Sequence, residues 1–483
     1  MYYETICPTN IGVHKQSYRS KLDNLIPRAK APIHVSSPLE DTHGFFAALF
    51  ALIAPERFVR LANHKSTRRG RPAELPLPDL LASLLFHLVC GAGTAAEHML
   101  QLLGWGLSDS AISERRLVLP WALWERWLRD TLRCRAHRRR HPEAFYRTWR
   151  LMALDGTQFS VSNTPQLLSQ LPKASSRRGQ AAFAKITTGV LLELGLHNPV
   201  AAAIGYAAQS EWQLSVQLLA QLAKGCLLLG DRLYGCSAFA ALALDRCLQV
   251  DSHFLFRARS ANKGTVRRRF RDGSRLVQLP VYERKTRRLL RTIVVREIWA
   301  RVERKGWRSE PLRLWTSCLD PKAAPAAELV ELYGRRWEQE LYFRQLKLQL
   351  RRTALLQSHT VKTAAQEIAL LVLASALVAQ ERVRAAAGIA PVLKVSFAKL
   401  LELLRPLWLV MAIAGDLFSE RVRRELAQRF YDHMLLCRVQ ERESRSCQRK
   451  VRQPVSKWPR LLETHSYEGP LSFSILRTTP GIP

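Results

Sequence analysis

The sequence predicts a mixed α/β protein: a sheet-centred core that carries a β-rich insertion and is preceded and followed by helical regions. Three observations predict it. Apolar residues recur at helical spacing up to Leu132, the pattern turns β-like after Trp149, and a stretch of strands alone then separates the core from a second set of helices. With 483 residues, 47% of them hydrophobic, the chain can bury a large core and is long enough for several domains.

Residues 1–40 are rich in Pro, Ser and Asn without a sustained period and read as a flexible arm. Residues 41–145 read as a helical module, with apolar side chains three and four apart over 42–61, 78–103 and 120–132. The basic cluster RCRAHRRR at 133–140 precedes the change of pattern and marks a boundary. Residues 146–380 then mix strands and helices. RLMALDGTQFSV, FAKITTGVLLEL and PVAAAIGYA are strands, followed by a helix over 211–222, the strand CLLLGD, a helix over 237–244 and the strand HFLFRAR. Three strands, a helix, a strand, a helix and a strand give the order of an RNase H-like core. Residues 260–322, including RLVQLPVY and RTIVVREIWARV, show no helical period and form the insertion. A long helix is expected after Pro325 through Arg352, then an apolar helix over 364–382 and a C-terminal helical region over 381–437. A basic, weakly ordered tail over 438–483 follows.

Charge narrows the class of partner. Lys and Arg number 74 against 40 Asp and Glu, a formal charge of +34 spread along the chain. Cationic side chains gain affinity for a phosphate backbone by releasing condensed counterions, so nucleic acid, double-stranded DNA included, is the leading candidate partner and the helical module its first candidate binding domain. A membrane is not expected, because the longest apolar run, 368–379, falls short of the roughly 18 to 20 residues a span needs. The first residues, MYYETICPTN, lack the pattern of a secretory signal. The nine scattered cysteines form no metal or redox motif, and both features suit the cytoplasm.

Two segments of the helical module stand out. In KSTRRGRP, Arg69 and Arg71 flank a glycine small enough to enter a narrow minor groove; a solvated basic linker is the alternative. Residues 94–117 read as a helix, a turn and a second helix carrying Arg115 and Arg116. They fit either a helix-turn-helix that meets DNA or an ordinary helical hairpin.

Three carboxylates carry the chemistry. Asp155 interrupts the apolar run of ALDGT and Asp231 ends that of LLLGD, where a buried, unpaired carboxylate is costly and calls for a cation. Either alone could simply open a turn or cap a helix. Glu340 lies on the long helix with Tyr333, Arg336 and Lys347. At about 100° per residue all four fall within about 60° of one another, a face able to hold a metal and several phosphates.

The spacing Tyr333, Arg336, Glu340, Lys347 resembles the Tyr-Arg-Glu-Lys signature of the IS4 family of bacterial insertion-sequence transposases. ALDGTQFSVSNTP and LLLGDRLYG are similar to that family's two aspartate segments, and SSRRGQAAFAKI and HTVKTAAQEIALLVLASALV also look like family sequence. The resemblance implies a DDE transposase in which Asp155, Asp231 and Glu340 bind two Mg2+ ions, with Mn2+ able to substitute. Tyr333, Arg336 and Lys347 would then grip phosphates near the cleaved end. It further implies binding to terminal inverted repeats, cleavage through hairpin intermediates, joining to target DNA, a homodimer in the synaptic complex and a place at the bacterial nucleoid. Trp307 and Trp315 are candidates to receive a flipped base, with core packing the competing role for each. The rival readings are a catalytically inactive, transposase-fold DNA-binding inhibitor and a structure-selective nuclease that cuts without joining.

Overall fold

The helical spacing of the first described stretch becomes four short helices: α1 (Leu77–Cys90), α2 (Ala95–Leu103), α3 (Asp109–Val118) and α4 (Trp121–Thr131). Their boundaries follow from local chemistry. Thr94 opens α2 through a capping box with Glu97, Gly104 closes it at φ 72°, and the Ser108 hydroxyl caps α3 by accepting the Ala111 amide. This computed structural model describes residues 77–439 and 472–475, apart from 105, 177–178, 284–285, 304–309, 352 and 388. Two compact units divide the chain, Met1–Gly44 and Phe45–Pro483, and all described residues lie in the second.

The core strand β1 (Trp149–Ser160) is fully buried from Leu151 to Leu154. Burial on both faces is why this stretch reads as a continuous apolar run rather than an alternation. On one side it pairs antiparallel with β2 (Lys185–Glu193), which pairs with β3 (Asn198–Ile204). On the other it pairs parallel with β4 (Cys226–Gly235), which pairs parallel with β5 (His253–Ala258). The helices α5 (Glu211–Leu219) and α6 (Ser237–Gln249) fill the two connections around β4, so the order read from the sequence is the order observed.

The insertion is continuous with the core sheet. Its strands β6 (Thr265–Arg269), β7 (Arg275–Tyr282), β8 (Leu289–Glu303) and β9 (Glu310–Thr316) extend the same sheet, giving β3-β2-β1-β4-β5-β9-β8-β7-β6 along an eleven-stranded whole. Part of the tail expected to be weakly ordered also joins it, since β10 (Ser472–Ile475) pairs antiparallel with Ala300 to Glu303 of β8.

Five helices follow the sheet: α7 (Ala326–Tyr333), α8 (Trp337–Arg344), α9 (Val361–Ala386), α10 (Phe397–Ala414) and α11 (Glu420–Leu436). The helix expected to run unbroken to Arg352 instead changes pitch twice, with a 3-10 turn at Gly334–Arg336 and a π segment at Gln345–Leu350. One core on the first face of the sheet joins Leu151 and Ala153 of β1 to Leu81, Phe86 and Trp124 of the N-terminal helices and to α8 and α9. The N-terminal helices thus share this core with the sheet. A second core on the other face joins Met152 and Leu154 to Leu214 and Leu218 of α5 and Phe239 of α6.

The apolar run 368–379 lies inside α9, which at 26 residues is long enough to cross a membrane. Burial decides its role: α9 is apolar around most of its circumference because it is enclosed by protein. Replacing the fully buried Leu371 with alanine is therefore expected to destabilise the fold by about 3 kcal/mol, read from the denaturation midpoint at unchanged slope.

Candidate active site at the fork of two strands

The two aspartates are brought together by the place where β1 and β4 part. Parallel pairing runs from Arg150 with Cys226 to Leu154 with Gly230 and stops there. Asp155 and Asp231 are the next residue on each strand. β1 continues against β2, where Asp155 is opposite Val190, while β4 also breaks register with β5 between Gly230 and Gly235. Strand alternation settles which way they face. Leu151, Ala153, Leu227 and Leu229 belong to the first core, so Asp155 and Asp231 continue the series toward α8.

Each aspartate is held locally. Asp155 Oδ1 accepts the Gly156 amide at 2.8 Å, and Asp231 Oδ1 accepts the Leu233 amide at 2.7 Å in an Asx-type turn. Burial, then the neighbouring charge of Asp231, push the Asp155 carboxyl up to about 7. Arg336 works in the opposite direction from the helix above.

That helix is fixed from behind. Glu338 accepts the Gly195 amide at 2.7 Å and Arg335 Nε at 2.7 Å. The buried Gln339 donates to the carbonyl of Val190, and the Tyr342 and Ser375 hydroxyls meet at 2.9 Å. The face left toward the fork carries the expected residues. Arg336 bonds Glu340 Oε1 at 2.7 Å and stands 3.7 Å from Asp155 Oδ2; the mostly buried Tyr333 donates to the Gly230 carbonyl at 3.4 Å. Beyond the π segment, the Lys347 ammonium and the Arg351 guanidinium both lie over the ring of Phe159, at 5.4 and 5.6 Å from its centroid. Burial first, then the charges of Arg351 and Lys185, lower the Lys347 ammonium to about 8.

A fourth carboxylate, unremarked in the sequence, joins this group. Glu211 accepts the Tyr234 hydroxyl at 3.2 Å, and burial raises its proton affinity, with Asp231 adding to the effect. Its only sequence signal is a serine cap at a helix start directly after a strand. Among the described residues no three metal-ligating side chains already converge on one point, and Arg336 sits between Asp155 and Glu340. The donor set nonetheless suits magnesium, a hard cation that keeps several waters and takes few carboxylates.

The remaining expected residues separate. Arg115 is half-buried on α3. Arg116 is turned inward, its guanidinium donating to the Thr363 carbonyl at 3.1 Å and to Ser358 Oγ at 3.4 Å. It ties α3 to α9 rather than presenting a cation to DNA. Trp315 is fully buried and donates its indole N–H to Glu297 at 2.9 Å, which corrects its candidacy for a flipped base. Trp307, Arg69 and Arg71 lie outside the described residues.

An acidic fork on a mixed sheet, overhung by a helix bearing a carboxylate and several cations, is an arrangement able to hold a divalent cation beside a phosphate. A family model described as "Transposase DDE domain" matches residues 146–378. Over 240 residues, 49% of this chain and 53% of the relative, the sequence is 28% identical to the transposase InsG for insertion sequence element IS4 of Escherichia coli (strain K12). The match thus spans about half the length of that relative, and residues 146–378 are similar to the DDE domain of transposases.

Asp155 yields a pH test of the like-charge pair. A carboxyl whose folded-state value is raised binds its proton more tightly when folded, so it costs stability as pH climbs from the unfolded value toward the folded one. In chelator, Asp155→Asn is therefore expected to stabilise the protein more at pH 8 than at pH 5, by a difference of about 2 kcal/mol in chemical denaturation. An equal effect at both pH values would remove the like-charge strain from this account.

Proposed function

We propose that this protein is a metal-dependent DNA transposase that binds the terminal inverted repeats of its own element, cleaves the ends and joins them to target DNA. The observation that carries the reading is the meeting of Asp155 and Asp231 at the strand fork under the face bearing Tyr333, Arg336 and Glu340. Asp155, Asp231 and Glu340 would hold Mg2+, or Mn2+ in its place. Such ions, when bound, activate the attacking oxygen and stabilise the leaving one.

The chain's own residues supply the rest. Arg336 holds Glu340 in place and carries a cation to where a scissile phosphate would lie, while Lys347 offers a second cation further along the helix. Tyr333, held against Gly230, fixes the helix over the fork and brings an aromatic hydroxyl beside the DNA end. A hairpin route fits this arrangement, since one site can serve successive attacks by a freed 3′ hydroxyl. The RNase H-like core would house the chemistry, and residues 41–145 would contribute DNA contacts through Arg69, Arg71 and Arg115. Synapsis of two ends makes a homodimer the expected assembly, at the bacterial nucleoid where the substrate is.

The deciding assay incubates the protein with labelled inverted-repeat duplexes, with magnesium or with chelator, and resolves nicked, hairpin and joined products. Magnesium-dependent joints are expected; cleavage without joining would favour a nuclease. Glu340→Gln is expected to lower cleavage at least about a hundredfold while end binding stays within about twofold. Replacing Arg69 and Arg71 together with alanine is expected to weaken end binding and to flatten the slope of log affinity against log salt by about two units. An unchanged slope would return that segment to the role of a linker.

A further inference from the structure

Glu211 is the first residue of α5, set there by a capping box in which Ser210 Oγ accepts the Gln213 amide and Gln213 Oε1 accepts the Ser210 amide. An acid in the first turn of a helix ordinarily faces water and favours the helix dipole. Glu211 instead turns inward. Its side chain packs against β1 at Gly156, where a Cβ would stand only 2.4 Å from Glu211 Cδ, so the missing side chain leaves room for the carboxylate. At the far end it accepts the Tyr234 hydroxyl, and Tyr234 is steadied by Ser215 at 3.1 Å. Glycine, tyrosine and serine together hold an acid beside two others, an arrangement that repulsion disfavours unless cations join it.

The direction of approach matters. α5 packs with Met152 and Leu154 on the second face of the sheet, whereas α8 and Glu340 belong to the first. Two carboxylates at the fork are therefore flanked by one from each side.

Building on the metal-dependent reading above, we propose that Glu211 is a fourth carboxylate of the metal site, reaching the ions from the face of the sheet opposite Glu340. Three carboxylates supply few oxygens for two ions, and Arg336 already occupies part of Glu340. Charge balance agrees: four carboxylates, one guanidinium and one scissile phosphate sum to the negative charge that two divalent ions cancel.

The test titrates full-length protein with Mn2+, following the free-ion electron paramagnetic resonance signal, for the wild type, Glu211→Gln and Asp155→Asn. Glutamine keeps the volume and can still accept the Tyr234 hydroxyl, so it separates the charge from the fold. Expected for Glu211→Gln are Mn2+ affinity reduced about tenfold or more, a smaller rise in Tm on adding Mn2+, an unchanged or higher Tm in chelator, and unchanged binding to DNA ends. Wild-type Mn2+ affinity in Glu211→Gln alongside a loss in Asp155→Asn would overturn the assignment of Glu211 alone. Wild-type affinity in both variants would overturn the metal reading itself, and this inference with it. A lower Tm in chelator with Mn2+ affinity intact would reduce Glu211 to a structural group and likewise overturn the proposal.

Discussion

The juxtaposition of two like charges at the end of a parallel strand pair is the constraint on which the site depends. β1 and β4 are paired as far as Leu154 and Gly230, and their next residues are acids. Inside a sheet such a pair would be untenable, because each carboxylate would lose its hydration to the core. Placed at the fork, each retains one backbone amide and a share of the cleft, and the remaining repulsion is answered by cations. Arg336 supplies one of these from the protein itself, 3.7 Å from Asp155.

Pitch changes in the overhanging helix bear on how its residues meet the fork. A uniform α-helix would set Tyr333, Arg336, Glu340 and Lys347 in one straight stripe. Here a tighter 3-10 turn lies between Tyr333 and Trp337 and a looser π segment encloses Lys347, so the two departures from the α repeat turn the stripe in opposite senses. Glu338, Gln339 and Tyr342 anchor the far side of the helix to Gly195, Val190 and Ser375. The cost of irregular helical hydrogen bonding is thus met by tertiary bonds, which also fix the orientation of Arg336 and Glu340.

Much of this was legible in the sequence because it rests on local regularities. The apolar runs before Asp155 and Asp231 are buried strands, and Tyr333, Arg336 and Glu340 lie by the fork while Lys347 stands further along over Phe159. What escaped depended on partners distant in the chain. Arg116 looks like any exposed arginine on a short helix until Ser358 and Thr363, far downstream, receive it. Glu211 looks like a dipole-complementing acid until Gly156 is seen to make room for it. The insertion was legible as a run of strands but not in its pairing, in which β9 beside β5 continues the core sheet. Pairing partners that lie far apart leave no period to read.

The cations beyond the fork bear on how a polyanion could be accepted by an acidic site at all. Four carboxylates would repel a phosphodiester, and screening by salt would weaken that repulsion only partly within a half-buried cleft. Lys347 and Arg351, gathered over Phe159 with Lys185 near enough to lower the lysine's proton affinity, form a basic ledge above a ring on the same strand as Asp155. Crowding cations in this way is itself unfavourable, and an arriving phosphate would relieve it just as a divalent ion would relieve the crowded carboxylates. Strain of opposite sign, four residues apart on β1, would thus leave the acidic end to the ions and the basic end to the phosphate.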